Sequence, residues 1–190
     1  MKETEVTVQV FEEFKKINEK LKSQGFCVIE NFQLNDWYFS KFDDVRGVKY
    51  PDLMNNSFLV RQVLTDKEEV QICYKKKEMD DNNNVIFEEK IKTFVDSLVD
   101  AVNIFKCAGL NNYCVVKNNS YIYQKGNMLF TLQIIENLGI FIEYEEDESM
   151  KNLNVQEKRD YMISALKSLN LKLGDDYSCK KVYMLLQKNC

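Results

Sequence analysis

The sequence predicts an α+β fold in which antiparallel strands curl into a barrel or tunnel with helices packed outside. Three features of its 190 residues carry that prediction. The first is a repeated order of elements. Glu3–Phe39 runs ETEVTVQV, a helix, Gln-Gly-Phe, then VIEN and DWYF; Glu89–Tyr123 runs EKIKTFVD, a helix, Ala-Gly-Leu, then CVVK and SYIY. Two pseudo-equivalent halves, each a half-sheet with an outer helix, can curl face to face and remove their exposed strand edges. The second is the alternation of apolar and polar residues in the stretch Leu129–Glu148, LFTLQIIENLGIFIEYEEDE. The third is a hydrophobic content of 45%, enough for a real core. A single domain over 1–190 is expected, with one half at about 1–77, a loop at 78–84, a second half at about 85–148 and C-terminal helices at about 155–188.

Taken in order, Glu3–Val10 alternates as a strand, with Val6, Val8 and Val10 on one face and Glu3, Glu5, Thr7 and Gln9 on the other. Phe11–Gln24 reads as an amphipathic helix: Phe11, Phe14, Ile17 and Leu21 recur at spacings of three and four, and Gly25 stops it. Phe26–Phe32 and the aromatic Asp36–Lys41 read as strands, with at least two of Trp37, Tyr38 and Phe39 in a core and Asp36 capping a turn. Asp43–Asn56, with the only proline, Pro51, reads as a loop. Ser57–Leu64 and Val70–Lys77 form a hairpin. Glu78–Asn84 (EMDDNNN) is a solvated loop. Val85–Phe94 is a strand and Val95–Gly109 a helix with Leu98, Val102 and Phe105 on one side. Tyr113–Val116 and Ser120–Gln124 are short strands. Met128–Ile135 and Ile140–Glu146 pair through Glu136-Asn137-Leu138-Gly139, and helices close the chain at Gln156–Leu169 and Lys180–Lys188.

In the strand Ile140–Glu146, side chains alternate, so Phe141, Glu143 and Glu145 share one face while Ile140, Ile142 and Tyr144 share the other. The two carboxylates sit about 6–7 Å apart along the strand. They can hold a hard divalent cation such as magnesium or manganese, or they form the solvated face of an amphipathic strand. In a small barrel covered by helices, the apolar faces turn outward and the polar faces inward.

Composition excludes several chemistries. There is no histidine, which removes serine triads, cysteine–histidine dyads and two-histidine iron sites. The six cysteines form no Cys-x-x-Cys pair, so a zinc site is not expected, and they read as buried small hydrophobes in a reducing compartment. A net charge of -4 disfavours nucleic acid as a partner. No run approaches a membrane span and the opening MKETEVTVQV lacks a signal-peptide core, so a cytoplasmic protein is expected, with no membrane partner. Oligomeric state is left open, a dimer included.

Several blocks together resemble the CYTH superfamily, the triphosphate tunnel enzymes, and its class IV adenylyl cyclase-like and thiamine triphosphatase-like branch most of all. They are Glu3-x-Glu5-Val, Asp36-x-Tyr-Phe, Phe58-x-x-Arg61, Tyr74-Lys75, Glu136-x-Leu138-Gly139-x-Phe141-x-Glu143-x-Glu145, and Tyr177-Ser178 running into LLQK. The resemblance implies an eight-stranded antiparallel tunnel with outside helices. It implies a small-molecule partner, a triphosphate or nucleotide, with Mg2+ or Mn2+ as cofactor. Glu3, Glu5, Glu143 and Glu145 match the metal-binding positions. Arg61, Lys75 and Lys117 match phosphate-gripping cations, and Lys92, with Lys90, would replace cations lost elsewhere. The implied chemistry is metal-dependent triphosphate hydrolysis or ATP cyclisation to cyclic AMP.

The sequence departs from that pattern at named places. Thr7 stands where the family has lysine, Leu59 where it has the first arginine of Arg-x-Arg, and Asn118-Asn119 where it has a basic pair. Lys90 and Lys92 reverse the charge of an acidic strand, and Gln133 replaces an aspartate. Only three arginines remain, Arg46, Arg61 and Arg159. These changes motivate an alternative: a degenerate member that binds nucleotide or polyphosphate without turnover, or serves as a scaffold.

Overall fold

A computed structural model of the chain describes residues 2–79 and 85–188. Its elements are β1 (Lys2–Glu3), β2 (Glu5–Val10), α1 (Phe14–Ser23), β3 (Cys27–Ser40), α2 (Tyr50–Asn55), β4 (Ser57–Leu64), β5 (Glu68–Met79), β6 (Val85–Val95), α3 (Leu98–Cys107), β7 (Asn111–Lys125), β8 (Met128–Ile135) and β9 (Gly139–Glu145). A short 3-10 turn at Glu148–Met150 precedes α4 (Val155–Ser168) and α5 (Lys181–Lys188). The pairs β2–β9, β8–β9, β3–β4, β4–β5 and β5–β6 are all antiparallel, as the α+β reading requires.

The repeat is visible in the helix ends. After α1, Gly25 N–H donates to the Lys22 carbonyl and Phe26 N–H to that of Leu21. After α3, Gly109 N–H donates to Lys106 and Leu110 N–H to Phe105. Both are Schellman closures, and both need a left-handed residue that glycine supplies, with φ of 88° at Gly25 and 80° at Gly109. The hydrophobic contact of the motif is built twice as well: Phe26 and Leu21 share one core, Leu110 and Phe105 another.

The structure corrects several sequence expectations. The two strands expected between Phe26 and Lys41 are one continuous β3. Polar Gln33 and Asn35 do not break it, because their backbones ladder with β4, and Asn35 Nδ2 donates to Gln62 Oε1 across the pair at 2.9 Å. Tyr113–Val116 and Ser120–Gln124 likewise merge into β7. The expected loop Asp43–Asn56 contains α2, in which Pro51 occupies the first turn, where its missing N–H costs nothing. Of the loop expected at Glu78–Asn84, Glu78 and Met79 finish β5 and residues 80–84 lie outside the described residues. Phe11 precedes α1 and is 61% exposed. Cys27 and Cys107 are exposed rather than buried, Cys114 and Cys179 are half-buried, and Cys73 is buried. No helix among the described residues is long and apolar enough to cross a membrane.

The chain groups into two compact units that cut across the sequence: Met1–Lys2, Phe32–Asn118 and Lys180–Cys190 form one, Glu3–Asn31 and Asn119–Cys179 the other. In the first, neighbouring strands run β6-β5-β4-β3-β7. One face of that sheet buries Phe39, Val60 and Val70 against Ala101 and Phe105 of α3, with Trp37 packed alongside. In the second, the order is β3-β7-β8-β9-β2. Val6, Val8, Ile142, Tyr144, Leu132 and Tyr123 bury against Ile17 and Leu21 of α1 and Met162 and Leu166 of α4. In each unit, then, the apolar sheet face meets the helices, and the charged residues take the opposite face.

Candidate functional site

The acidic cluster is made by strand pairing in the second unit. β9 lies between β8 and β2, with Glu145 opposite Glu5, Glu143 opposite Thr7 and Thr131, and Phe141 opposite Gln9 and Gln133. Glu5, Glu143 and Glu145 therefore share a face, and each brings one carboxylate oxygen within 4.8 Å of the others. Glu5 and Glu143 are half-buried and Glu145 is exposed. Like charges directly across a strand pair are destabilising. An all-oxygen donor set held against that repulsion is the chemistry a hard divalent cation takes, so the three residues fit magnesium or manganese. Glu3 lies in β1, but its side chain falls outside what is described. Thr7 and Gln133, two of the positions where the sequence departs from the family pattern, are buried at 5% and 8% exposure, so each fills its position with a neutral group.

The neighbourhood of Glu5 is braced from α4. Arg159 Nη1 donates to the Glu5 carbonyl at 3.3 Å, and its Nη2 donates to Ser178 Oγ at 2.8 Å. Glu146 ties the end of β9 to the start of β2: its carboxylate accepts from Thr4 N–H at 3.0 Å and from Lys158 Nζ at 2.9 Å. Partial burial would raise the Glu146 carboxyl, but the bonds from Lys158 and Thr4 outweigh it and hold the group below its ordinary value. Nothing in the local sequence marks Arg159 or Glu146 for these roles; their partners are more than a hundred residues away or on another element.

The cations belong to the first unit, where register sets one polar face. Asp36 pairs with Arg61, Arg61 with Gln71, Cys73 with Lys92, Lys75 with Lys90 and Lys77 with Glu88. Asp36 does not cap a turn. It accepts from Arg61 Nε at 2.8 Å and from Nη2 at 2.7 Å, a bidentate pair. Burial works to deprotonate Arg61, and the Asp36 carboxylate more than offsets it, so the guanidinium stays charged. Glu88 is 1% exposed and lies 3.2 Å from Lys75, 2.7 Å from Lys77 and 3.7 Å from Lys90. Burial would raise its carboxyl, but the lysines reverse the shift and hold it well below the carboxylate range. Arg61, Lys75 and Lys92 thus share the face expected of them. Lys117 does not follow the same pattern: along β7, Val116, Asn118 and Ser120 are buried, whereas Lys117 is exposed and alternates onto the face of Tyr121 and Tyr123.

Sequence reasoning missed Glu88 and Lys77. The signal was present as Lys75-x-Lys77 on one strand and Glu88-x-Lys90-x-Lys92 on the next, but it becomes legible only when the register of β5 against β6 is known.

No family model matches the sequence. The chain is 26% identical over 193 aligned positions to a protein of Methanocaldococcus jannaschii described as a candidate adenylate cyclase, covering 98% of this chain and 99% of the relative. Among solved structures, a Pyrococcus horikoshii protein aligns at a TM-score of 0.73 and 18% identity, covering 98% of this chain and 99% of the other. A candidate adenylate cyclase of Vibrio parahaemolyticus aligns at a TM-score of 0.68 and 17% identity, covering 97% and 98%. These likenesses are consistent with the resemblance to the CYTH superfamily that the sequence blocks carry. These structures share its fold, an α+β arrangement of antiparallel strands with helices packed outside. A further CYTH-like structure, from Hippeastrum, is a candidate adenylyl cyclase described as having a dominant triphosphatase activity; it aligns at a TM-score of 0.61 and 11% identity over 98% of this chain and 96% of its own.

Proposed function

We propose that this chain binds a triphosphate-containing small molecule with Mg2+ or Mn2+ and carries out metal-dependent triphosphate chemistry, by hydrolysis or by ATP cyclisation to cyclic AMP. The observation that carries the reading is the three-carboxylate cluster Glu5, Glu143 and Glu145. The relatives described as cyclases or as a triphosphatase support the substrate class. Glu5, Glu143 and Glu145 hold the cation, which when bound supplies charge neutralisation and Lewis-acid polarisation of phosphoryl oxygens. Arg61, Lys75 and Lys92 engage phosphate. With two of its N–H groups on Asp36, Arg61 keeps three for a ligand, and its side chain is 26% exposed. Glu3 and Lys117 do not enter this reading, for the reasons of description and strand face given above.

The reading is tested by whether tripolyphosphate binding depends on metal. Isothermal titration with tripolyphosphate, with and without Mn2+, is expected to show binding that depends on the metal; no binding under either condition refutes it. Release of phosphate from ATP then marks a hydrolase, and release of pyrophosphate a cyclase. A second reading, binding without turnover, is favoured by Gln133, a buried neutral amide where the family pattern places an aspartate. Metal-dependent binding without release of either product supports it.

A further inference from the structure

A cavity of about 600 Å3 opens in the second unit, where α1 runs into β3. That volume falls within the roughly 300–1,000 Å3 typical of small-molecule sites. Phe14, Asn18 and Lys22, spaced four apart on α1, line it together. Tyr121 of β7 also lines it, with its ring centroid 4.7 Å from that of Phe14, and β3 contributes Cys27 and Asn31. Because α1 packs on the apolar face of its sheet, the cavity beside it lies away from the face that carries Glu5, Glu143 and Glu145.

The polar groups at this cavity have a common character. Tyr123 O–H donates to Asn18 Oδ1 at 3.1 Å, which leaves both Nδ2 hydrogens of that amide as donors. Lys22 is exposed, and its side chain makes no ion pair or hydrogen bond among the described residues. Lys125 brings a second cation close. Its Nζ lies 5.6 Å from the centroid of Phe26, and its Cε lies 3.8 Å from where a Cβ on Gly25 would stand; both residues line the cavity. No carboxylate lines it.

We infer that this cavity is a small-molecule site, separate from the triphosphate site, for an aromatic compound that carries an anionic oxygen. The ring packs against Phe14 and Tyr121, the oxygen accepts from Asn18 Nδ2, and Lys22 and Lys125 supply the countercharge. With lysine as the only charged residue type at the cavity, an aromatic cation is disfavoured. The inference shares no residue with the functional reading above and does not depend on it.

The test is fluorescence titration of the whole chain with anilinonaphthalene sulfonate, an aromatic anion. The native chain is expected to bind the dye saturably, one molecule per chain. Cys27→Trp puts a large ring into the cavity from an exposed strand position, which tolerates an aromatic residue, and is expected to abolish binding while Tm holds. Lys22→Ala is expected to weaken binding about fivefold, the effect of removing one water-screened charge near contact distance. Lys15→Ala, on the same helix but outside the cavity, is expected to leave it unchanged. If Cys27→Trp unfolds the chain, iodoacetamide labelling of the native protein, read at Cys27 by peptide mass, replaces it. Saturating dye is then expected to slow labelling at Cys27 and not at the exposed Cys107. Absence of saturable binding overturns the inference, as does binding that Cys27→Trp and Lys22→Ala leave unchanged or labelling of Cys27 that the dye does not slow. Displacement of the dye by tripolyphosphate in Mn2+ also overturns it and leaves the functional reading standing. Dye binding in a chain that ignores tripolyphosphate supports the cavity and refutes that reading alone.

Discussion

Removing the Asp36 carboxylate isolates the energetic role of the pair it forms with Arg61. The two residues face each other across β3 and β4, joined by bonds of 2.8 and 2.7 Å, with side chains 6% and 26% exposed. Breaking a buried pair by deleting one partner costs about 3–5 kcal/mol, because the other charge is left without compensation. Arg61 retains a quarter of its exposure, so water recovers part of that loss, and Asp36→Ala is expected to cost about 2–3 kcal/mol. For a chain of this length each kcal/mol moves Tm by about 2–4 °C, which gives a fall of about 4–12 °C. Urea unfolding followed by Trp37, the only tryptophan and the neighbour of Asp36 in β3, measures the cost directly. Arg61→Met is expected to cost more than Asp36→Ala, since it strands the more buried charge. The double variant Asp36→Leu/Arg61→Met is expected to recover most of the loss, as apolar replacements of buried pairs do. A loss under about 0.5 kcal/mol for Asp36→Ala would place the pair among solvent-screened surface bridges and refute the reasoning.

Two further predictions concern the carboxylates. Glu143→Gln removes one carboxylate from the cluster with Glu5 and Glu145, so the protein is expected to lose its Mn2+-dependent rise in Tm. An unchanged metal response in thermal unfolding would remove Glu143 from the metal site. Stability is also expected to fall in acid. Glu12, through its hydrogen bond to Lys20, and Glu88 and Glu146, where lysine partners outweigh burial, all have carboxyls lowered in the folded state. A lowered folded pKa contributes stability that is present above the unfolded value of about 4.3 and is lost as pH falls through the folded value. Tm is therefore expected to hold from pH 7 to about 5 and to drop below that, less steeply in Glu146→Gln; a profile that Glu146→Gln leaves unchanged would mean that Glu146 does not carry its share.

Much of the fold was legible because period-two alternation is written locally. Residues Ile142 and Tyr144 separate from Glu143 and Glu145 on sequence grounds alone, and the core confirms that division. The helix stops at Gly25 and Gly109 were readable for the same reason, since a left-handed closing residue is a local demand. Strand breaks were read wrongly where polar residues such as Gln33 and Asn35 suggested a turn. Their side chains fit an extended strand once β4 supplies a ladder, and only the partner strand reveals that.

By itself, then, the sequence determined which residues share a strand face, where two helices end and which carboxylates of β9 travel together. Tertiary structure alone decided that Glu5 joins Glu143 and Glu145, that Asp36 holds Arg61 and that Glu88 gathers three lysines. The physical reason is register. Each of these groupings depends on which residue of one strand faces which residue of another, a one-residue slip sends every side chain to the opposite face, and no spacing within a single strand encodes that choice.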